Sequence, residues 1–226
     1  MNKKPTADKG YARLKAEGKA GWGGDESDYD LFKANIDRSL IRAKAPQNGK
    51  VLELGCGAGN LTLWLAQKGY QAFGVDITPN AIDWAKEKNA VAPAKADFQL
   101  GDISDLSSYG DEFFDIVIDA HCLHWIYGED RQKSFSSVFR VLRKGALFIL
   151  YAQCGEPNMS ALNKKEMTYD PVRRVCVNKL GFIGAYYGTP ESILAEVKSA
   201  GFEILCWELS HESDGDDLCI EARKAV

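Results

Sequence analysis

Apolar positions follow two rhythms along the chain. Between Asp25 or Ser27 and Leu40, the residues Tyr29, Phe32, Ile36 and Leu40 recur every three or four positions, which puts them on one face of a helix. Ala45-Pro46-Gln47-Asn48-Gly49 then breaks it. From Lys50 onward, short apolar runs alternate with helical stretches. Strands are predicted at 51–54, 71–75, 98–100, 114–119 and 146–151; the fourth is almost continuously apolar, as expected of a strand buried on both faces. Helices are predicted over 60–68, from the Thr78-Pro79 cap to about 89, and over 130–144 with Gly145 at its end. The stretch 153–188 interrupts the rhythm and has a poor helical pattern. Thr189-Pro190-Glu191 then caps a helix ending at Gly201, and two strands follow at 203–209 and 218–222. Their connection through Ser213-Asp214-Gly215-Asp216 is short enough to permit only an antiparallel pair. The fold expected is α/β, a doubly wound and mostly parallel sheet of seven strands with an antiparallel last strand.

Composition narrows the partners. With 226 residues, 45% of them hydrophobic, the chain can bury a full core. Its 28 basic and 32 acidic residues sum to −4, so it offers no strong positive field for nucleic-acid phosphates, and no nucleic-acid partner is expected. No apolar run approaches the ~20 residues of a membrane span, and Met1-Asn2-Lys3-Lys4-Pro5 leads into polar sequence. A soluble, cytoplasmic protein without a membrane partner is the expectation. Six scattered cysteines and three histidines form no Cys-x-x-Cys pair or ligand cluster, so no metal is expected, and Cys206 and Cys219 read as reduced core residues.

The strongest chemical signal is Val51-Leu52-Glu53-Leu54-Gly55-Cys56-Gly57-Ala58-Gly59-Asn60, a strand, a glycine turn and a helix start. Glycines without Cβ atoms allow a sharp bend and close approach of a ligand, at the strand end where open α/β sheets bind ligands. Asp76 ends the second strand about 20 residues on, where an acid accepts hydrogen bonds from ribose hydroxyls. The spacing Gly-x-Gly-x-Gly, with Asn60 in the sixth position, departs from the dinucleotide fingerprint Gly-x-Gly-x-x-Gly. Glu53, two residues before Gly55, would repel a pyrophosphate and suits a cation. Both departures favour a positively charged nucleoside without phosphate, S-adenosyl-L-methionine.

Five segments in order, VLELGCGAGN, GVDIT, LGDI, FDIVIDAHCLHWI and RVLRKGALFIL, resemble the class I (Rossmann-like) S-adenosylmethionine-dependent methyltransferases. The resemblance is close over 50–150 and looser through the terminal antiparallel pair. It implies that Gly55 and Gly57 line the methionyl and ribose parts of the cofactor, and that Asp76 holds the ribose. It also implies that Asp102 with the amide of Ile103 meets the adenine, and that Ala120 and His121 touch the methionyl end. Cys56, Asn60 and Ile77 join this cofactor set, and Glu53 orients the loop and balances the ammonium group. For Asp102 the alternative is a turn carboxylate capping a loop amide. The implied organisation is an N-terminal helical lid segment over 1–45 and a Rossmann-like domain over 46–226, with an acceptor-site insertion at about 153–188.

Methyl transfer from a sulfonium is an in-line displacement that proximity alone can accelerate greatly, and a base is required only for an acceptor protonated at neutral pH. Base candidates cluster in Asp119-Ala120-His121-Cys122-Leu123-His124-Trp125, where His121 is the stronger and His124 the weaker; Cys122 reads as packing. Trp22, inside Gly21-Trp22-Gly23-Gly24, lacks a periodic reason to be apolar and reads as part of a lid over the cofactor. Tyr11 and Tyr29, with Tyr169, Arg173 and Tyr187 of the insertion, are the acceptor-site candidates, the arginine offering a fork for a carboxylate. The activity expected is methyl transfer to a small-molecule acceptor by a monomer or homodimer. The alternatives are aminocarboxypropyl transfer or cyclisation of the cofactor, or a partner subunit that binds the cofactor without turnover.

Overall fold

The structure is a computed structural model that describes residues 4–164, 166–179, 181, 183–212 and 215–225. Seven strands form the main sheet: β1 (Lys50–Leu54), β2 (Gln71–Asp76), β3 (Asp97–Leu100), β4 (Phe114–Ala120), β5 (Leu142–Cys154), β9 (Phe202–Glu212) and β10 (Gly215–Lys224). Their order is β3-β2-β1-β4-β5-β10-β9. The pairs from β3 to β5 are parallel, and β10 runs antiparallel to both β5 and β9. This is the expected sheet; of the connecting turn, Ser213 and Asp214 lie outside the described residues.

Alternation within the strands sorts the two faces. Leu52, Val117, Phe148 and Leu150 point towards Phe135 and Val138 of α5 (Glu129–Val141) and Ile193 and Val197 of α7 (Pro190–Ser199). Val51, Ile116, Ile118, Leu147 and Ile149 point the other way, towards Ile36 and Leu40 of α2 (Asp30–Arg42) and Leu61 and Leu65 of α3 (Asn60–Gln67). Burying each such side chain is worth about 1.5–3 kcal/mol, and the central strands bury both faces. On α4 (Pro79–Val91), Ile82 and Ala85 close the β3 edge against Phe98. Thr78 and Thr189 stand at the N-caps of α4 and α7, each followed by proline, as their sequences predict.

Four parts of the chain differ from expectation. A helix α1 (Lys4–Ala16) precedes the predicted one, and α2 itself starts only after a 3-10 turn over Glu26–Tyr29. The helix predicted to 144 stops at Val141, because buried Leu142 leaves the helix to pair with Phe114. The insertion is a short helix α6 (Met159–Lys164) followed by a three-stranded antiparallel sheet, β6 (Met167–Asp170), β7 (Val175–Asn178) and β8 (Ile183–Tyr186). No helix among the described residues is long and apolar enough to cross a membrane.

Candidate functional site

The glycine turn after β1 is fixed by Asp76. Gly55 and Gly57 have φ of 63° and 53°, in the left-handed region that favours glycine. The Gly57 amide donates to Asp76 Oδ2 (2.9 Å), the Thr78 amide to Oδ1 (2.8 Å), and the Cys56 amide to Val75 O (3.0 Å). The bend and the carboxylate therefore form one buried unit, with Ile77 half-buried beside it. The close approach that glycine permits is used by the chain itself. A Cβ on Gly55 would stand 2.6 Å from Cys122 Sγ, and one on Gly57 would stand 2.5 Å from the Tyr11 hydroxyl.

The ionisable groups that act on this bend are acidic. Asp119, Asp76, Asp102 and Glu53 all act on the Cys122 thiol, which burial first and these four carboxylates next push well above its ordinary pKa. Glu53 is fully buried on the α3 side, accepts from the Thr62 hydroxyl, and is raised by burial to about 8. Asp119, also buried, is raised to about 7 although it accepts from the Cys122 and Leu123 amides. Such a donor set suits the sulfonium and ammonium of S-adenosylmethionine and disfavours a pyrophosphate. Asp102 is exposed and accepts from the amide and hydroxyl of Ser104 (2.9 and 2.8 Å), the turn-capping arrangement; Ile103 beside it is buried in the core.

The N-terminal segment lies across the bend. Tyr11 of α1 is buried against Ala58, Ala81 and Trp84, its hydroxyl held protonated by burial and by nearby Asp76. Trp22 is half exposed and packs on Tyr11 (ring centroids 5.1 Å apart), so it backs the tyrosine rather than meeting the glycines. The Tyr29 hydroxyl accepts from the Gly23 amide (3.0 Å). Asn60 joins the segment to α3: its Nδ2 donates to Glu26 Oε2 (3.0 Å) and its Oδ1 accepts from Lys88 Nζ (2.7 Å), while Lys88 also donates to Ala20 O. Burial lowers the Lys88 pKa to about 8. Lys88 is a contact that the sequence pattern did not single out. Its only local sign is the spacing from Trp84, over whose ring it sits at 4.9 Å.

At the end of β4, Ala120 is half-buried and His121 has φ of 66°. The His121 ring lies between Phe32 (5.3 Å) and buried His124 (5.5 Å), and its Nε2 is 3.5 Å from Asp217 Oδ2 on β10. The sequence gives no local sign of Asp217. Within the insertion, Tyr187 is buried with its hydroxyl on Gln153 Oε1 (3.1 Å), and Tyr169 packs edge-on against it at 6.4 Å. Arg173 lies on the exposed β6–β7 turn, apart from these tyrosines, and its amide donates to Asp170. Arg174 ties the small sheet to Glu156 and to the carbonyls of Gly155 and Tyr187. No group of three or more histidine, cysteine or acidic residues among the described residues forms a metal site.

A methyltransferase-domain family profile matches residues 52–150. Over 104 residues the chain is 35% identical to the 2-heptyl-1-hydroxyquinolin-4(1H)-one methyltransferase of Mycobacteroides abscessus, a match covering 46% of this chain and 45% of that protein. The chain spans less than half the length of the first curated relatives it matches. A SAM-dependent methyltransferase from Methanosarcina mazei superposes with a TM-score of 0.69 at 24% identity, covering 83% of this chain and 97% of the other. The magnesium protoporphyrin IX methyltransferase of Synechocystis, solved with bound SAH, superposes with a TM-score of 0.65 at 20% identity, covering 86% of this chain and 82% of the other. Residues 52–150 therefore match a methyltransferase domain, and the strand order gives the chain the fold of the class I S-adenosylmethionine-dependent methyltransferases.

Proposed function

We propose that this chain transfers a methyl group from S-adenosylmethionine to a small-molecule acceptor in the cytoplasm, by in-line displacement. The observation that carries the reading is the glycine bend hydrogen-bonded to Asp76, with the carboxyls of Glu53 and Asp119 also buried. When bound, the cofactor supplies an electrophilic methyl group on a sulfonium that leaves as a neutral thioether. Asp76 would accept from the ribose hydroxyls through lone pairs beyond those taken by Gly57 and Thr78. The acidic side chains would favour the cation, with Glu53, protonated at neutral pH in the free protein, giving up its proton as the ammonium group arrives. Tyr11, backed by Trp22, would cover the cleft and keep water out. His121 and His124 would stand at the methionyl end, and Tyr169 and Tyr187 would bound the side on which an acceptor enters. A small acceptor is supported by the net charge of −4 and by the hydroxyquinolone named for the Mycobacteroides abscessus relative.

Calorimetry with S-adenosylhomocysteine, followed by incubation with S-adenosylmethionine and mass analysis of products, tests this. Binding, with S-adenosylhomocysteine released only when an acceptor is present, is expected. Release of methylthioadenosine would instead indicate aminocarboxypropyl transfer or cyclisation, and absence of binding would overturn the reading.

A further inference from the structure

His121 sits in a setting built to fix and charge an imidazole. Its φ of 66° is a conformation that side-chain-bearing residues adopt rarely and that clusters at functional sites. The amide of His121 donates to Tyr151 O (3.1 Å), which pins the turn. The groups facing its ring come from four elements. Strand β10 brings Asp217, β4 brings Asp119, the 3-10 turn Leu123–Trp125 brings His124, and α2 brings the uncharged Phe32. Burial is the largest single influence and favours the neutral ring, but Asp217 and then Asp119 outweigh it and raise the pKa. Asp217 pairs in register with Gln153 and Ser210, so the sheet itself holds it in place. Its Oδ1 is buried without a hydrogen-bond partner, an arrangement that is costly unless a donor arrives.

We propose that Asp217 positions His121 as a general base, so that the group methylated is a hydroxyl on the acceptor. The inference rests on the methyltransferase reading above. Asp217 faces Nε2 and leaves Nδ1 to take the proton. Catalytic hydrogen bonds are often long in the free enzyme and tighten in the complex, so 3.5 Å is compatible with this pairing. The acceptor O–H bond breaks with its proton passing to Nδ1, the oxygen–methyl bond forms, and the methyl–sulfur bond breaks with its electron pair remaining on sulfur. Asp217 balances the resulting imidazolium. A carboxylate acceptor needs no such base and a thiol is already partly ionised near neutrality, whereas a phenolic hydroxyl, with a pKa of about 10, needs one; an ammonium would need one too, and an amine probe separates the two.

The test combines an NMR titration of the imidazoles in S-adenosylhomocysteine-bound protein with turnover of phenol, catechol, thiophenol and benzylamine probes. In Asp217→Asn the His121 midpoint should fall by about one unit, a tenfold loss of proton affinity. Asp217→Glu, which keeps the charge, should restore the midpoint. On hydroxyl probes, Asp217→Asn should lower kcat more than tenfold with little change in KM, and should move the acidic limb of the pH profile about one unit down. An unchanged His121 midpoint in Asp217→Asn overturns the proposal. So does methylation confined to the thiol or amine probe, or failure to methylate any hydroxyl probe by protein that binds S-adenosylhomocysteine. Failure of the wild type to bind S-adenosylhomocysteine, by contrast, overturns the methyltransferase reading itself.

Discussion

Glu53→Gln isolates the energetic cost of placing a carboxyl under the glycine bend. The side chain is fully buried, accepts from the Thr62 hydroxyl, and has a native pKa of about 8 against an ordinary value of 4.5. Burial is the chief cause, with Asp76 and Asp119 adding repulsion. Because the folded pKa is the higher one, the native state keeps a proton that the unfolded chain releases. The resulting stability is fully present below pH 4.5 and is lost as pH rises through 8. At ~1.4 kcal/mol per pKa unit, the linkage between about pH 5.5 and about pH 8.5 amounts to about 3 kcal/mol. Glutamine keeps an acceptor for Thr62 and cannot ionise. Urea titrations of both proteins at the two pH values, followed by circular dichroism, read the effect. The other groups titrating in this range, Asp119, Lys88 and His121, are common to both proteins, so their contribution largely cancels in the difference. The variant should gain about 3 kcal/mol relative to the wild type on going to the higher pH. Saturating S-adenosylhomocysteine, whose ammonium group favours the charged carboxylate, should narrow that gain. A difference that is the same at both pH values would mean that Glu53 titrates near its ordinary value, and the electrostatic account of the bend would fail.

Asp76→Ala should weaken S-adenosylhomocysteine binding by about 2–4 kcal/mol in calorimetry, since it removes the proposed ribose acceptor and frees the Gly57 amide that Asp76 holds. Gly57→Ala should lower both stability and affinity, because its φ of 53° is strained for alanine and the new Cβ would meet the Tyr11 hydroxyl at 2.5 Å; a thermal melt matching the wild type would contradict this. Lys88→Met should speed amide exchange across residues 20–29 while leaving the sheet protected, as it removes the bonds to Ala20 O and Asn60. Arg131→Met should cost about 3 kcal/mol in urea titration: the buried guanidinium holds Glu196 and Leu123 O together, and Glu196 keeps enough access to water to limit the loss.

Legibility in the sequence follows the range of the forces. The β1 strand, its bend and Asp76 are encoded within 26 residues, by an apolar run, alternating glycines and an acid at the next strand tip, and all are hydrogen-bonded to one another in the structure. The cap at Thr189 was legible for the same reason: its hydroxyl accepts from the Ser192 amide, three residues away. Helix α1 was not, because a Lys-, Gly- and Ala-rich stretch has little amphipathic signal. It is held by partners on α4, through Tyr11 and Leu14 against Ala81 and Trp84, the Lys15–Glu87 ion pair, and Asp8 accepting from the Asn80 amide. Leu142 continues the spacing of Val138 and Val141 and so reads as helix, yet pairing with Phe114 on a buried strand outweighs a local propensity worth a fraction of a kcal/mol. The same contrast divides the site. The proposed cofactor half is local and readable, whereas the proposed acceptor half is assembled where β4, β5, β10 and the small sheet converge. There a side chain such as Asp217 acquires meaning only from the strand that faces it across the fold. The N-terminal segment belongs to both halves: Tyr11 meets the glycine bend, Phe32 meets His121, and the connection between them is clasped by Lys88, Asn60 and Glu26. Because α1 has so little helical drive of its own, docking on α4 and on the bend is what orders it, so whatever fills the cleft acts directly on the segment that covers it.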